Sequence, residues 1–468
     1  MTFLTVAFFI LFVITLGLML LFRGQTARQF ILLAASYVFY AYWDVRFLFL
    51  LIFQALVVYT GSLLVEKFRF GKPGLAKAAM GILVGIILGL LGFFKYFRFF
   101  TESISAITGE NAFSALHIIL PVGISFYTFQ SISYVVDVYR QKTEARKSFL
   151  KVSLYISFFP QLMSGPVVRS THFLPQLDTN PAITWANFEK GCQIFLMGAV
   201  KKVVIADRLS VCVNAIYDAP AAYSGASILG AVIAYSLQIY CDFSGYSDMA
   251  IGVARVLGYD LGRNFNLPYL SRNLTEFWKR WHISLSAWLQ EYLYISLGGN
   301  RKGKMRTYVN LMLTMILGGL WHGASWNFVI WGALHGAALV VHKLFLTYKK
   351  PKTTTTGVKT LLSIVGTYAF VSFCWIFFRA DSFETAWLII SRMFTWADGI
   401  SYTYVYTVLF ALALLLIHIY CYFKTNKEGT YIHLDWNKFL PKVLFILAIL
   451  LTAAFAYQGN QAFIYFQF

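Results

Sequence analysis

One histidine of this 468-residue chain lies in the middle of an apolar, glycine-rich stretch. The stretch is ILGGLWHGASWNFVIWGALHG, residues 316–336, and His322 stands in it among small and aromatic residues, namely Gly318, Gly319, Trp321, Gly323 and Trp326. Glycine allows another backbone, or a substrate, to approach closely. An imidazole in an apolar setting is largely neutral and can accept a proton as a general base. An ionisable residue between apolar runs points to a functional site, so we interpret His322 as a candidate catalytic base.

A second histidine lies in a segment with helical periodicity, SRNLTEFWKRWHISLSAWLQEYLYISLGGNRKGK, residues 271–304. Its apolar residues recur at steps of three and four and predict one amphipathic helix. These are Leu274, Phe277, Trp278, Trp281, Leu285, Trp288, Leu289 and Tyr292. Asn273 followed by Glu276 is typical of a helix start, and GGNRKGK predicts the end. The helix could lie at the membrane surface with its tryptophans at headgroup level; His282, beside Trp281, could be structural or part of a site.

A third segment places polar residues among apolar ones. YCDFSGYSDMAIG, residues 240–252, contains Asp242, Ser244, Ser247 and Asp248. Charges at membrane depth are costly unless they line a cavity or pair internally. We therefore expect these carboxylates to do one or the other.

Composition places these motifs in a membrane. Apolar residues make up 59% of the chain and charged residues 13%, with a mean hydropathy of +0.64, whereas a soluble domain carries about 25% charged residues. Apolar runs suited to a hydrocarbon core of about 30 Å recur from end to end. They lie at residues 3–21, 30–43, 47–65, 78–94, 117–136, 152–163, 188–205, 228–256, 308–320, 327–345, 361–378, 404–421 and 443–457. Several are too short to cross alone, so we predict an all-α polytopic membrane protein with about eleven crossings plus re-entrant or buried pieces.

Charge distribution predicts the orientation. The net charge of +19 resides mainly in short loops between apolar runs, which is typical of cytoplasmic loops; no separate basic domain suited to nucleic acid is present. The loops assigned to the cytoplasm lie around residues 23–28, 67–72, 140–147, 349–352 and 424–442. We expect one multi-pass domain over residues 1–457 in the cell membrane, with an amphipathic or re-entrant segment at about 260–305 and an extracellular tail at 458–468. The five cysteines show neither metal-ligand spacing nor a disulfide framework, and we expect no metal.

The two histidine segments together resemble the paired signature of the membrane-bound O-acyltransferases (MBOAT), in particular the branch that serves alginate and cell-envelope polysaccharide acetylation. Three further stretches are similar to that branch: LPVGISFYTFQSISYVVDVYR, FFPQLMSGPVVR and YCDFSGYSDMAIGVARVLGY. The resemblance implies a horseshoe of helices around a central tunnel that joins a cytoplasmic vestibule to an outer funnel. It places His322 at the family's catalytic histidine and His282 at a second position that is histidine or asparagine.

In such a tunnel a neutral imidazole could deprotonate a hydroxyl from one side and present it to a thioester from the other, and proximity could lower the barrier by about 7–11 kcal/mol. Trp321, Trp326 and Asn327 are candidate wall residues that bind substrate. The resemblance implies a cytoplasmic acyl thioester, acetyl-CoA in the first instance, with no permanently bound cofactor. No phosphate-binding glycine-rich loop is evident, so contacts to coenzyme A are unassigned.

The sequence FIYFQF, residues 463–468, follows the last apolar run. It could be an interfacial aromatic anchor. It also resembles an F-x-Y-F tag of bacterial envelope-acylation systems, whose tyrosine is proposed to carry an acyl group to an extracellular transferase. Eight residues from Tyr457 to Tyr465 reach at most about 26–29 Å, and half the hydrocarbon core is about 15 Å, so the tail can turn back into an outer funnel. The resemblance thus implies Tyr465 as a covalent acyl carrier and a secreted SGNH-type partner.

Two alternatives stay open at this point. A carrier-protein thioester could be the donor, as in D-alanylation of teichoic acid. A transporter or flippase could instead move an acyl-carrying molecule without making bonds, with Asp242 and Asp248 in a cation-coupled pathway, although no paired broken helices in matching halves are visible.

Overall fold

The described residues of the protein are almost entirely helical. The computed structural model describes residues 1–108, 118–348, 357–424, 434–455 and 463–464. Within these ranges, extended pairing is limited to one parallel bridge between Tyr223 and Ile400. The all-α prediction is confirmed.

The chain divides into two compact units. One comprises Met1–Phe195 with Met249–Gly262, and the other comprises Leu196–Asp248 with Arg263–Phe468. Both candidate histidines and the C-terminal tail belong to the second unit, so the contacts described below for the candidate site lie within that unit.

The first unit contains the N-terminal helices. In chain order they are α1 (Val6–Leu21), α2 (Gln25–Ala41), α3 (Val45–Arg69), α4 (Pro73–Leu91), α5 (Phe97–Thr108), α6 (Ile124–Tyr139), α7 (Phe149–Ser157), α8 (Phe159–Leu162), α9 (Ser170–Thr179) and most of α10 (Trp185–Ala199). A π-helical turn, Gly92–Tyr96, joins α4 to α5. An aromatic cluster of Phe8, Phe39 and Phe159, with ring centroids 5.7–6.3 Å apart, packs the centre of this unit.

The second unit contains the helices that carry the candidate site. After the end of α10 they are a π-helical segment (Val200–Ala206), α11 (Asp207–Asp218), α12 (Gly225–Val256), α13 (Leu274–Arg280), α14 (Ile283–Trp288), a second π-helical segment (Leu289–Tyr294), α15 (Lys304–His322), α16 (Trp326–Tyr348), α17 (Gly357–Arg379), α18 (Phe383–Phe394), α19 (Val405–Lys424) and α20 (Phe439–Ala454). The last residues of α12 belong to the first unit.

Among the described residues, five helices are long and apolar enough to cross a membrane. They are Val45–Arg69, Pro73–Thr108, Gly225–Val256, Trp326–Leu346 and Gly357–Arg379. Shorter apolar helices occupy Val6–Leu21, Val405–Tyr420 and Phe439–Ala454. These helices support a multi-pass membrane protein, while the horseshoe of about eleven crossings stays a prediction.

The segment that carries His282 is not one continuous helix. α13 ends at Arg280 and α14 begins at Ile283, and between them His282 has a left-handed backbone with a φ of 42°. Residues from outside the segment hold the break, because the Ile283 N–H donates to the Asn264 carbonyl and the Asn266 N–H donates to the Arg280 carbonyl, each at 2.8 Å. The predicted single helix is wrong here, since this long-range pairing outweighs the local periodicity.

The apolar stripe of this segment faces protein. Phe277, Trp281 and Leu285 are each 1% exposed, and Trp288 is also buried. Such burial does not fit a helix lying at the membrane surface with its tryptophans among the headgroups. The segment instead forms part of the interior of the second unit.

The predicted start of α13 is confirmed. The Asn273 side-chain oxygen accepts the Glu276 N–H at 2.9 Å, and the Glu276 carboxylate accepts the N–H of Arg272 at 3.0 Å. Burial alone would raise the pKa of Glu276, but the backbone N–H of Arg272 and the guanidinium groups of Arg280 and Arg272 outweigh it and lower the pKa. An ionised carboxylate in the first turn of a helix also stabilises that end of the helix dipole.

Helices α15 and α16 pack with their backbones in contact. A methyl group on Gly319 would collide with the Phe328 carbonyl oxygen, and one on Gly332 would collide with the Met315 carbonyl oxygen. Gly323, which follows His322, lies directly against the Phe328 ring. The glycines therefore serve helix–helix packing, and this packing fixes the end of α15 at which His322 lies.

Buried ion pairs join α12 to the π-helical segment before α11. The Lys201 ammonium is 2.6 Å from Asp248, and the Lys202 ammonium is 2.5 Å from Asp242 and 2.8 Å from Asp207. Asp242 and Asp248 are both buried. Of the two alternatives expected for these carboxylates, lining a cavity or pairing internally, the structure shows internal pairing for both.

Candidate active site

His322 is enclosed by aromatic side chains. It is the last residue of α15 and is 4% exposed. Its ring centroid is 5.0 Å from Trp321, 5.1 Å from Trp331 and 5.3 Å from Phe378. Exclusion of water disfavours the charged form of an imidazole, so these surroundings suit the neutral histidine that a general base requires.

His282 is oriented by an asparagine that the sequence did not single out. The side-chain oxygen of Asn264 is 3.1 Å from His282 Nδ1 and accepts the Ser284 hydroxyl at 2.8 Å, while the Asn264 amide nitrogen donates to Ser247 at 3.1 Å. The Ser284 backbone N–H, which can only donate, is 3.3 Å from the same side-chain oxygen and so fixes which end of the amide carries the oxygen. His282 Nδ1 must then carry the proton.

The same network leaves His282 Nε2 with a lone pair. Nε2 is buried and has no hydrogen-bond partner among the described residues. The side chain is fully buried, and its hydrogen-bond partner among the described residues, Asn264, is neutral. Burial without a counter-ion favours the uncharged ring, so His282 is presented as a second proton acceptor.

The two histidines are neighbours. Their ring centroids are 6.5 Å apart, and Trp321 lies beside both, 6.1 Å from His282 and 5.0 Å from His322. Thus His282, Trp321 and His322, which the sequence predicts for one site from two separate segments, lie next to one another. Two neutral imidazoles in a water-poor, aromatic enclosure can remove a proton from a weak nucleophile and return it to a leaving group.

The other two candidate wall residues differ in their surroundings. Asn327 is 2% exposed and its amide donates to the Ala380 carbonyl at 2.8 Å, which ties the start of α16 to the end of α17. Trp326, the preceding residue, is 60% exposed. The structure thus buries Trp321 and Asn327 but leaves Trp326 at the surface of its unit.

The described part of the C-terminal tail is buried next to this pair. Phe463 and Ile464 are 4% and 6% exposed. The Phe463 ring is 4.5 Å from Tyr246 and 6.1 Å from Phe243, and Phe243 in turn meets the His282 ring edge-on at 4.7 Å. Tyr465, the predicted acyl carrier, lies outside the described residues.

A large cavity lies near the aromatic residues that surround His322. It has a volume of about 640 Å³ and is mostly apolar, with Lys279 and Lys343 among its lining residues. One of its walls is Trp278, whose ring is 5.7 Å from Trp331, and Trp331 contacts His322. His322 does not line this cavity, so the continuous tunnel expected from the resemblance stays a prediction.

Sequence reasoning missed Asn264 and Trp331. Asn264 carries no local signal, because it lies in a loop and acts through long-range hydrogen bonds. Trp331 could have been found, since it belongs to the same aromatic stretch as His322.

Of the remaining histidines, His117 and His433 lie outside the described residues, while His335 is packed among rings and His418 is 3.2 Å from the Tyr240 hydroxyl. In the parts of the chain that the structure describes, no group of three His, Cys, Asp or Glu residues is placed to hold a metal ion.

A family model and several curated proteins match the chain. The model of MBOAT, the membrane-bound O-acyltransferase family, matches residues 143–380, a range that contains both histidines. The chain belongs to this family. It is 39% identical to the probable alginate O-acetylase AlgI of Pseudomonas putida over 98% of each chain. It is 43% identical to the probable alginate O-acetylase AlgI of Azotobacter vinelandii, over 79% of this chain and 73% of that protein.

A third relative acts on a different polymer. The chain is 35% identical to the peptidoglycan O-acetyltransferase of Helicobacter pylori, over 93% of this chain and 91% of that protein. Membership in the MBOAT family makes this protein a membrane-bound acyltransferase, and the non-enzymatic transporter considered above is not supported.

Proposed function

We propose that this protein is a multi-pass O-acetyltransferase of the cell membrane that moves an acetyl group from a cytoplasmic thioester to the outer face. The acetyl group passes to Tyr465 with the help of His322 and His282. An extracellular SGNH-type transferase then takes it from Tyr465 and O-acetylates a cell-envelope polysaccharide. The names of the relatives, which specify alginate and peptidoglycan, support an envelope polymer as the acceptor.

The observation that carries this proposal is the proximity of the tail to the histidine pair. Phe463 and Ile464 are buried against α12, and one ring, Phe243, separates Phe463 from His282. Tyr465 is the next residue along the chain. A purely interfacial anchor would place these side chains among lipid headgroups rather than in the interior of the unit.

The first transfer follows from the chemistry of the groups. A tyrosine hydroxyl, with an ordinary pKa of about 10, is a poor nucleophile at neutral pH and needs a base. His322 takes the phenolic proton as the oxygen attacks the thioester carbonyl. The carbon–sulfur bond then breaks, the proton passes to the departing thiolate, and an acetyl ester of Tyr465 remains. In the second transfer, the serine of the partner attacks this ester and regenerates the tyrosine.

The large cavity supports a cytoplasmic donor such as acetyl-CoA. Lys279 and Lys343 line an otherwise largely apolar volume of about 640 Å³. Ammonium groups bind phosphates as point charges, and an apolar wall suits the uncharged part of a thioester donor. A carrier-protein thioester is the alternative donor, and the same cavity would receive its prosthetic arm.

The experiment that tests the proposal uses inverted membrane vesicles containing the full-length protein. Acetyl-CoA labelled in its acetyl group is supplied to the cytoplasmic face, and the C-terminal peptide is analysed by mass spectrometry. We expect a labelled acetyl adduct on Tyr465. His322→Ala should lower the rate of adduct formation about 10²–10⁴-fold, the usual contribution of a general base.

Tyr465→Phe is the matched control, because it removes one oxygen atom and keeps the aromatic ring. It should abolish the adduct and polymer acetylation together. Wild-type polymer acetylation in Tyr465→Phe would refute the relay. If the adduct forms only when a carrier protein loaded with an acyl or aminoacyl thioester is supplied, the donor is the carrier-protein thioester and not acetyl-CoA.

A further inference from the structure

The C-terminal tail is held by its backbone as well as by its side chains. The Ile464 N–H donates to the Asp242 carboxylate at 2.9 Å. Asp242 lies on α12 and is 1% exposed. A main-chain donor on a buried carboxylate makes a charge-assisted hydrogen bond, which is stronger than one between neutral groups.

The two oxygens of the Asp242 carboxylate have different partners. One oxygen of Asp242 is 2.5 Å from the Lys202 ammonium, and the other accepts the tail N–H. Lys202 is also paired with Asp207 at 2.8 Å. Because Lys202 keeps a second carboxylate, loss of the Asp242 charge does not leave an unpaired cation in the interior.

Side-chain packing fixes the register of the tail at the same place. The Phe463 ring packs in a tilted arrangement against Tyr246, with the ring centroids 4.5 Å apart, and both Tyr246 and Asp242 lie on α12. Every non-proline residue carries a backbone N–H, so the position of the Phe463 ring, rather than the bond to Asp242, selects the register. A shift of the tail by one residue would remove the Phe463 ring from its place against Tyr246.

We propose that Asp242, held by Lys202, is a positioning residue that docks the C-terminal tail and so sets where Tyr465 stands relative to the histidine pair. This role rests on the proposed function of Tyr465 as the acyl carrier. The docking itself is independent of that function, since it rests on contacts among the described residues, those of Ile464 and Phe463 with α12 and of Asp242 with the π-helical segment.

Hydrogen–deuterium exchange on the purified full-length protein tests the docking. With residue-level resolution in the C-terminal peptide, we expect the Ile464 amide to exchange at least about tenfold more slowly than an unstructured amide, because it is buried and bonded. Asp242→Ala should remove this protection. Asp242→Asn keeps an acceptor oxygen but no charge, so its Ile464 amide should show intermediate protection.

Asp248→Asn is the matched control, since it neutralises the neighbouring buried aspartate, which pairs with Lys201. It should leave the exchange of Ile464 unchanged. Protected amides in α12 establish that each variant is folded. An Ile464 amide that exchanges freely in the wild type, or that is equally protected in a folded Asp242→Ala, overturns the docking.

Acyl-adduct formation on Tyr465 tests the positioning. Ile464→Pro removes the N–H and should slow adduct formation at least tenfold, whereas Ile464→Val keeps the N–H and should retain the wild-type rate. A wild-type rate in Asp242→Ala with an unprotected tail overturns the positioning role while the relay stands. A protected Ile464 amide together with no adduct in the wild type refutes the relay while the docking stands.

Discussion

At the scale of single residues, the site depends on an amide that fixes a proton. The side-chain oxygen of Asn264 accepts the backbone N–H and the hydroxyl of Ser284, so this oxygen and not the amide nitrogen faces His282 Nδ1. The imidazole therefore keeps its basic nitrogen, Nε2, away from the asparagine. A carboxylate would hold the ring in the same way but would favour the charged imidazolium, whereas the neutral amide leaves the ring uncharged.

We expect Asn264→Ala to lower the rate of acyl transfer about tenfold or more, because His282 loses the partner that fixes its orientation and tautomer. The measurement is adduct formation from labelled donor in membrane vesicles. The double variant with His282→Ala should be no slower than His282→Ala alone, since the two residues act as one unit.

Ser284→Ala is the control for this prediction, because it removes a bond to the same oxygen without touching the ring. Its effect should be clearly smaller than that of Asn264→Ala. If the losses of rate in Asn264→Ala and His282→Ala multiply in the double variant of these two residues, Asn264 acts independently of His282 and the interpretation fails.

At the scale of elements, the end of α15 is held by glycine packing. The backbone of α15 at Gly319 touches the backbone of α16 at Phe328, and backbone atoms cannot rotate aside as a flexible side chain does. His322 is three residues further on, in the last turn of α15. The position of the His322 ring therefore depends on the distance between two helix axes.

We expect Gly319→Ala to destabilise the protein by about 1–3 kcal/mol, the usual result of overpacking a close contact. The measurement is thermal or denaturant unfolding in detergent. Gly366→Ala on α17 is the matched control, because a methyl group there meets nothing within 4 Å. Equal stability of the two variants would contradict the close packing.

The elements also show how far the sequence predicts the structure. The helical class follows from composition, and the start of α13 at Asn273 follows from capping chemistry. For Asp242 the cost of buried charge left two alternatives, a cavity or a partner, and the structure shows the partner. The break at His282 could not be predicted, because residues 264–266 impose it from outside the segment. Likewise, the histidines come together through tertiary packing, and only the resemblance to a family linked them beforehand.

At the scale of the whole molecule, the distribution of basic residues predicts the orientation. The chain carries a net charge of +19, and the loop from Lys67 to Lys72 is one of the basic loops assigned to the cytoplasm. The proposed relay requires the tail to lie on the extracellular side, since the acceptor polymer of the proposal lies outside the cell.

We expect a single cysteine at Gly459, in an otherwise cysteine-free chain, to react with a membrane-impermeant maleimide added to intact cells. A cysteine at Gly71 should react only after permeabilisation, because its basic loop is assigned to the cytoplasm. Labelling of intact and permeabilised cells measures both. If position 71 but not position 459 is labelled in intact cells, the orientation is opposite to the predicted one. The proposal then loses its basis for an extracellular partner.

The left-handed backbone of His282 restricts which amino acids can occupy that position. At a φ of 42° a β-branched residue is strained, whereas histidine and asparagine are among the few non-glycine residues that tolerate it. The fold therefore admits either of two side chains, imidazole or carboxamide, at little conformational cost. A change between these two side chains would alter the proton chemistry of the site without altering the course of the chain.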